Sequence, residues 1–418
     1  MRILIVGAGI VGAATAYELA GDGHEVTVLE QHAAAAEQAS FANAGLLAPS
    51  ALIPWAAPSA DSRLARRLLG RRAGLRLARG AGLEGLYWLW RWLRAGRQAQ
   101  AGARWQALAA LGHASLQRTQ AIARALDVDV EASRGTLVLL RSQADAQLLR
   151  AGLDAMQTAG APLREVDADT ARLIEPGLAV DVPLAGALHA LDGASANCRL
   201  FAQILRQAAQ ELGARFVFQT RVLALAREGT AQPGVVLAGQ GEPLRADALV
   251  LCAGLGSAAL LRPLGLRVPM AAVHGYTVTA PVRDEMHAPQ GAVIDPRHRI
   301  TIARLGQRVR VCGGAELGHA RGAHDEATLR TLYLALSGWF PGGVLTSSPQ
   351  VQVWRGARPS LPDGAPLLGA GPARGLWLNA GHGASGWAQA CGSARAIADL
   401  IAGRAPQVDL APFDPARF

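Results

Sequence analysis

The stretch RILIVGAGIVGAATAYELAGDGHEVTVLE, from Arg2 to Glu30, constrains the fold more than any other part of the chain. Arg2 to Val6 is an apolar run of strand length. Gly7, Gly9 and Gly12 follow in G-x-G-x-x-G spacing, a helix pattern opens at Ile10 and closes at glycine, and HEVTVLE reads as a second strand ending at Glu30. Gly7 permits the tight turn. Gly9 lets the backbone approach a pyrophosphate, and Gly12 lets helix and strand pack closely while the helix N-terminus faces the anion. Glu30 stands where a carboxylate bonds both ribose hydroxyls and repels a 2′-phosphate. Strand, turn, helix, strand and terminal acid in this order predict a dinucleotide-binding unit rather than a glycine-rich turn alone. The run is apolar enough to mimic a signal peptide, but Arg2 is its sole leading charge and the glycine pattern accounts for it.

The remaining chain does not continue as an alternating strand–helix nicotinamide domain. Ser40, Asn43, Ala44 and Gly45 make a small polar loop. A helix is expected from about Arg199, then a small antiparallel meander from ARFVFQT, RVLALARE and GVVLAG. ADALVLCAG reads as a strand ending at Ala253-Gly254. A third glycine-marked strand-to-helix turn follows Trp377, with Gly381, Gly383 and Gly386, and opens a long helix. Three such turns spread along the chain fit an extended ligand wedged between them. The last helix can aim its N-terminus at a ring on which negative charge develops during reduction. RITIARLGQRVRVCGGAE is expected to be a hairpin turning near Gly306.

VGAGIVGAATAYEL and GHEVTVLE, the S-x-x-N-A-G run at Ser40 to Gly45, PWAAP at Pro54 to Pro58, GARPSLPDGAPLLG at Gly356 to Gly369, and WLNAGHGASGWAQACGS at Trp377 to Ser393 together carry a resemblance over nearly the whole chain. It resembles the FAD-dependent D-amino acid dehydrogenases of the D-amino acid oxidase and glycine oxidase superfamily. The resemblance implies an α/β, or two-domain α+β, fold: a Rossmann-like FAD-binding domain at 1–50, 190–260 and 355–418, interleaved with a mixed-sheet substrate domain at 51–189 and 261–354. It implies FAD contacts at Gly7, Gly9, Ile10, Val11, Gly12, Glu30 and Gln31, at Ser40, Asn43, Ala44 and Gly45, at Val222, Ala253 and Gly254, and at Gly381, His382, Gly383, Gly386 and Trp387. Arg358 matches the arginine that clamps the substrate carboxylate in the family's G-x-R-P context, where a planar guanidinium makes two parallel bonds. Tyr276 is expected near the substrate. His274 stands where relatives commonly carry lysine, and it joins Tyr276 as a candidate. A histidine at 382 either meets the flavin or caps the last helix.

The implied reaction is oxidative deamination of a D-amino acid by hydride transfer to flavin N5, followed by hydrolysis of the imino acid to a 2-oxo acid and ammonia. Most of the catalysis is then positioning. Two other enzyme readings stay open: cyclic imino acids such as D-proline and D-hydroxyproline, or glycine and sarcosine, as substrates, and oxygen as direct acceptor. A flavin-binding subunit that needs a partner chain is the reading from another class.

The 418-residue chain carries a net charge of +9, and its basic residues are all arginine. Eleven of the 41 fall between positions 61 and 104, against only Asp61 and Glu84, so the excess is local. Leu86, Leu89, Trp90 and Leu93 share a helical face, Trp88 and Trp92 form a second pair one turn apart, and Arg91 and Arg94 flank them. Such a segment fits nucleic acid, a membrane surface or a cover for a substrate pocket. No nucleic-acid reader motif accompanies it, so nucleic acid is not expected as a partner. Arginine with tryptophan and leucine suits an anionic bilayer surface. The resemblance agrees: a cytoplasmic enzyme, peripheral on the inner membrane, passing electrons to a quinone or another respiratory acceptor. Cys198, Cys252, Cys312 and Cys391 lie far apart, so neither a metal site nor a redox pair is expected.

Overall fold

A computed structural model describes residues 1–49, 75–78, 81–95, 101–147, 162–226, 232–239, 241–318 and 324–418. The upstream arginines at 63–72 and the PWAAP run lie outside these residues.

One sheet has six strands in the order Leu367–Ala370, Leu376–Ala380, Ala248–Leu251, Arg2–Val6, Glu25–Leu29 and Arg215–Val217. All neighbours are parallel except the first pair. The N-terminal strand is central and covered on both faces, which is why it reads as an unbroken apolar run. Ile3 and Ile5 pack with Leu19 and Ile397, under the helices Ile10–Gly21 and Gly386–Ile401. Leu4 and Val6 face the other way, with Val235, Leu237 and Leu260. There a three-stranded sheet, Leu244–Arg245, Gly234–Leu237 and Val222–Leu225, covers the larger one. Arg215–Val217, expected in that meander, instead pairs parallel with Glu25–Leu29. The strand follows the helix Cys198–Glu211, so it returns through a crossover rather than a hairpin.

The second sheet runs Gln352–Ser360, Ala271–Pro281, Arg308–Leu317, Ile300–Leu305, Ala292–Asp295, Ser133–Leu140, Gly186–Ser195 and Leu46–Leu47. Leu75–Leu77 and Leu163–Val166 pair onto it off this path. The hairpin between Ile300–Leu305 and Arg308–Leu317 turns at Gly306, which has φ +59°. One face of this sheet buries Tyr276, Val278, Val309 and Val311 against the helix Glu326–Trp339. The other face looks toward the nucleotide-type sheet. The strand Gln352–Ser360, which carries Arg358, belongs to this second sheet, and so do Leu46–Leu47 and Gly186–Ser195. The exchange between the two parts of the fold therefore falls after Ser360 and before Leu46.

Candidate functional site

A cavity of about 630 Å3 runs between the two sheets. Its nucleotide end is built from the first strand-to-helix turn. Gly7 has φ +101°, and a Cβ there would stand 2.6 Å from the Cys252 carbonyl oxygen. A Cβ on Gly12 would lie 1.9 Å from the Gly7 carbonyl oxygen, so only glycine lets the helix close on the strand. Gly12 performs this packing and does not line the cavity, whereas Gly7, Gly9, Ile10 and Val11 do. The Ile10 amide donates to Ser40 Oγ at 3.1 Å, which ties the polar loop to the helix N-terminus. Glu30 is buried at the end of its strand, accepting from the Ala8 amide at 2.7 Å and the His32 amide at 2.9 Å. Gln31 and Val222 line the same end.

The middle is closed by Asn43, Ala44 and Gly45, by Ala253 and Gly254, and by Gly381, Gly383 and Gly386. Trp387 donates its indole N–H to the Gly45 carbonyl at 3.2 Å. The loop is also gripped from below: buried Arg310 donates from Nη1 to the Asn43 carbonyl at 3.0 Å and from Nε to Thr279 Oγ1 at 2.9 Å. His382 lines the cavity as well. Burial holds its imidazole pKa down to about 3, so the ring is neutral. Ser393 Oγ donates to the Ala390 carbonyl and lies 3.1 Å from His382 Nε2, so that nitrogen is the donor of the pair.

The cavity fits FAD. At the first turn Gly7 leaves no room for a Cβ, and the acid Glu30 stands at the end of the second strand. Two amide oxygens, Asn379 Oδ1 and Gln389 Oε1, are buried at the cavity wall with no partner among the described residues. Buried acceptors of this kind require donors, which the hydroxyls of a bound FAD would supply. Residues 2–400 match the family described as FAD dependent oxidoreductase. The chain belongs to that family.

The oxidoreductase is 39% identical over 422 residues to the D-amino acid dehydrogenase of Cereibacter sphaeroides, covering 100% of this chain and 95% of the relative. It is 34% identical to the D-amino acid dehydrogenase of Bradyrhizobium diazoefficiens, covering 100% and 99%. Among solved structures it resembles glycine oxidase from Geobacillus kaustophilus, with a TM-score of 0.78, 23% identity, and coverage of 100% and 99%. L-proline dehydrogenase from P. horikoshii has a TM-score of 0.74 at 16% identity, covering 100% and 97%.

The other end of the cavity is the open face of the second sheet. On Ala271–Pro281 the cavity-facing residues are Val273, Gly275 and Thr277. His274 and Tyr276 therefore point away from the cavity, contrary to expectation. Tyr276 is buried in the far core, bonding Glu316 Oε2 at 3.1 Å and receiving the Asp325 amide at 3.3 Å. His274 shares that face and sits opposite Glu316 in register. Alternation was legible in the sequence, but which face looks inward was not. Arg355 also turns to the far side, 3.4 Å from Glu316 Oε2.

Arg358 lines the cavity and donates from Nη1 to the Gly314 carbonyl at 3.0 Å. Tyr276 pairs with Gly313 and His274 with Glu316, so Gly314 and Ala315 both stand opposite Gly275. This bulge turns the Gly314 carbonyl toward Arg358. Beside it, Trp354 lies over Gly356, where a Cβ would meet the indole at 1.6 Å, and stacks on Phe41 with centroids 6.0 Å apart.

Trp88 and Trp92, on the helix Gly82–Ala95, close this end. Trp88 donates its indole N–H to the Ser360 carbonyl at 3.1 Å. The buried stripe of the helix thus runs through Gly85, Trp88, Trp92 and Ala95, whereas Leu86 and Trp90, of the apolar face read from the sequence, are each 51% exposed.

Proposed function

We propose that the oxidoreductase oxidises D-amino acids, releasing 2-oxo acids and ammonia. The observation that carries this reading is one continuous cavity with a nucleotide cradle at one end and a fixed guanidinium, Arg358, at the other. The D-amino acid dehydrogenases that share 34–39% of their sequence with it support the choice of substrate class. Gly7, Gly9, Glu30, Ser40, Gly45 and Gly383 would hold FAD, which when bound supplies the two-electron acceptor for the α-hydrogen and its bonding pair. Arg358 takes the substrate carboxylate in a two-bond grip, and the sheet wall of Trp354 and Thr277 fixes the α-carbon. Trp88 and Trp92 exclude water, so the imino acid leaves before hydrolysis. Tyr276 and His274 have no direct part in this reading. His382, neutral and bonded into the last helix, packs beside the cofactor rather than moving a proton.

No helix among the described residues is long and apolar enough to cross a membrane. We infer peripheral contact with the cytoplasmic face of the inner membrane, with a quinone as electron acceptor. The outer face of the helix Gly82–Ala95 supports this: Leu83, Leu86, Tyr87 and Trp90 are exposed beside Arg91 and Arg94.

The test is the visible spectrum of the purified protein under anaerobic conditions. Bleaching of the flavin band by D-alanine but not L-alanine is expected. Bleaching by D-proline alone would assign cyclic imino acids instead, and a yellow protein unmoved by all three would overturn the proposal.

A further inference from the structure

We propose that Thr277 is a positioning residue for the substrate carboxylate: its hydroxyl donates to one carboxylate oxygen while Arg358 holds the group from the other side. This rests on the reading of the cavity as an amino acid site and gives that site a second anchor.

Arg358 stands opposite Val273 in register, but its guanidinium lies over Gly275. The side chain therefore leans along the neighbouring strand in the direction of Thr277. Cys312, which pairs with Thr277, reports the same lean. Burial raises its thiol pKa, and Arg358, in hydrogen-bonding reach of the sulfur, works against that rise. The other directions in the plane of the sheet are taken. Trp354 covers Gly356 on one side, the Gly314 carbonyl accepts from Nη1 on the other, and Val273 packs with Trp88 and Trp92 behind. A carboxylate brought to Arg358 thus lies along the strand, over Thr277.

Thr277 lines the cavity. It is 1% exposed, and its Oγ1 has no hydrogen-bond partner among the described residues. A buried hydroxyl left unpaired costs free energy that a bound group recovers. Gly275 and Thr277 are two residues apart on one face, about 7 Å at a rise of about 3.4 Å per residue. One carboxylate with a hydrogen bond of about 2.8 Å on each side spans that distance. A carboxylate offers about four lone-pair sites, so the hydroxyl adds to the two-bond grip of Arg358 without displacing it. Donors on two separate strands fix the rotation of the carboxylate as well as its place, and with it the direction of the α-hydrogen.

The experiment uses the holoenzyme and Thr277→Val, which keeps the shape of the side chain and removes the hydroxyl, with Thr277→Ser as the variant that keeps it. The ligands are D-alanine, D-serine and propionate, which has the carboxylate but no nitrogen. KM for both amino acids, from anaerobic flavin reduction, and the Kd of propionate, from its perturbation of the flavin band, should each rise about tenfold in Thr277→Val. Thr277→Ser should stay within about threefold of the parent. FAD content should be unchanged, and Thr277→Val should melt no lower than the parent, since the hydroxyl it loses has no partner in the unliganded protein. A loss confined to D-serine would give the hydroxyl to the side chain, and a loss for both amino acids but not for propionate would give it to the amine; either overturns the proposal. So do unchanged binding, propionate without effect on the parent, and a variant that loses FAD or folds less stably, which would make Thr277 a cofactor or core residue. If no amino acid reduces the flavin of the parent, the functional reading falls, while weaker propionate binding in Thr277→Val would still support the carboxylate contact.

Discussion

Gly275 lies directly beneath Arg358: a Cβ at Gly275 would stand 2.3 Å from Nη2 and 2.6 Å from Cζ of the guanidinium. The absence of a side chain on one strand therefore sets the height of the cation on its neighbour. Gly275→Ala should lift the guanidinium and raise KM for the amino acid about tenfold, with a smaller change in kcat. Arg358→Leu removes the carboxylate's partner and should lower kcat/KM by on the order of a hundredfold or more. The flavin content of both variants should match the parent. Steady-state kinetics with the flavin-to-protein absorbance ratio check this, and a parallel loss of flavin would point to a structural role instead.

The opposite end of the cavity depends on Gly12 and Glu30. Gly12→Val has no room, with the Gly7 carbonyl oxygen 1.9 Å from the Cβ position, and should give a protein that stays colourless after FAD is supplied. Glu30→Ala keeps the packing but loses an acceptor at the ribose position and frees the Ala8 and His32 amides. Its FAD affinity should fall roughly tenfold or more, the scale of one hydrogen bond to a charged group. Fluorescence titration of the apoprotein with FAD measures both.

The nucleotide end was legible because its constraints are local. Gly7, Gly9, Gly12 and Glu30 lie within one strand–helix–strand unit, where spacing alone states the geometry. Glycines 254, 381, 383 and 386 were legible for the same reason, because they lie in the strand-to-helix turns that follow Ala248–Leu251 and Leu376–Ala380. The substrate end was not. Thr277, Cys312 and Thr301 come together through antiparallel register, and no local pattern reports register. The period of two along VHGYTVT separated His274, Tyr276 and Val278 from Val273, Gly275 and Thr277. Choosing the inward set required knowing that Glu326–Trp339 covers the other face. The helix Gly82–Ala95 poses the same difficulty. It has apolar residues on both sides, so periodicity could not say that Trp88 and Trp92, rather than Leu86 and Trp90, are the buried pair.

Arg310 was missed because nothing in RVRVCGG distinguishes it from Arg308, which reaches Glu131 instead. Its two bonds join the substrate sheet to the Asn43 carbonyl. Arg310→Met should release that loop and leave buried acceptors unpaired, costing about 3 kcal/mol of stability. FAD affinity should fall with it, although Arg310 does not line the cavity. Denaturant melts of the apoprotein, alongside FAD titration, separate the two effects.

His113 couples the long helix Ala101–Ala125 to the substrate sheet. Its Nδ1 lies 2.8 Å from the Ala109 carbonyl and its Nε2 2.8 Å from Asp192 Oδ2, two acceptors that favour the doubly protonated ring. The bond to Asp192 raises its pKa above the ordinary 6.5. Since the folded-state value is the higher one, the contribution to stability is fully present below about pH 6.5 and fades as pH rises through the folded pKa. Thermal melts of parent and His113→Gln should therefore diverge below pH 6.5 and converge toward pH 9. A difference that stays constant with pH would make the contact one of packing alone.

The outer face of the helix Gly82–Ala95 sets the last expectation. Trp90 is 51% exposed, with the Arg94 guanidinium 5.2 Å from its ring centroid. At an interface the indole enters the acyl boundary while the arginine stays with the lipid phosphates. The protein should bind vesicles of phosphatidylcholine containing phosphatidylglycerol more strongly than vesicles of phosphatidylcholine alone, and binding should weaken as salt screens the charges. Each basic side chain near an anionic surface contributes about 1 kcal/mol, so Arg94→Ser should weaken partition roughly fivefold, and Trp90→Ser should add to that. Trp88 and Trp92, on the opposite face, close the cavity, so reduction of the flavin by substrate in solution should be unchanged in the Trp90 variant. Co-sedimentation with vesicles measures the partition. Equal binding to both vesicle types, or none, would leave this face without a lipid partner and would remove the structural support for a membrane quinone as acceptor.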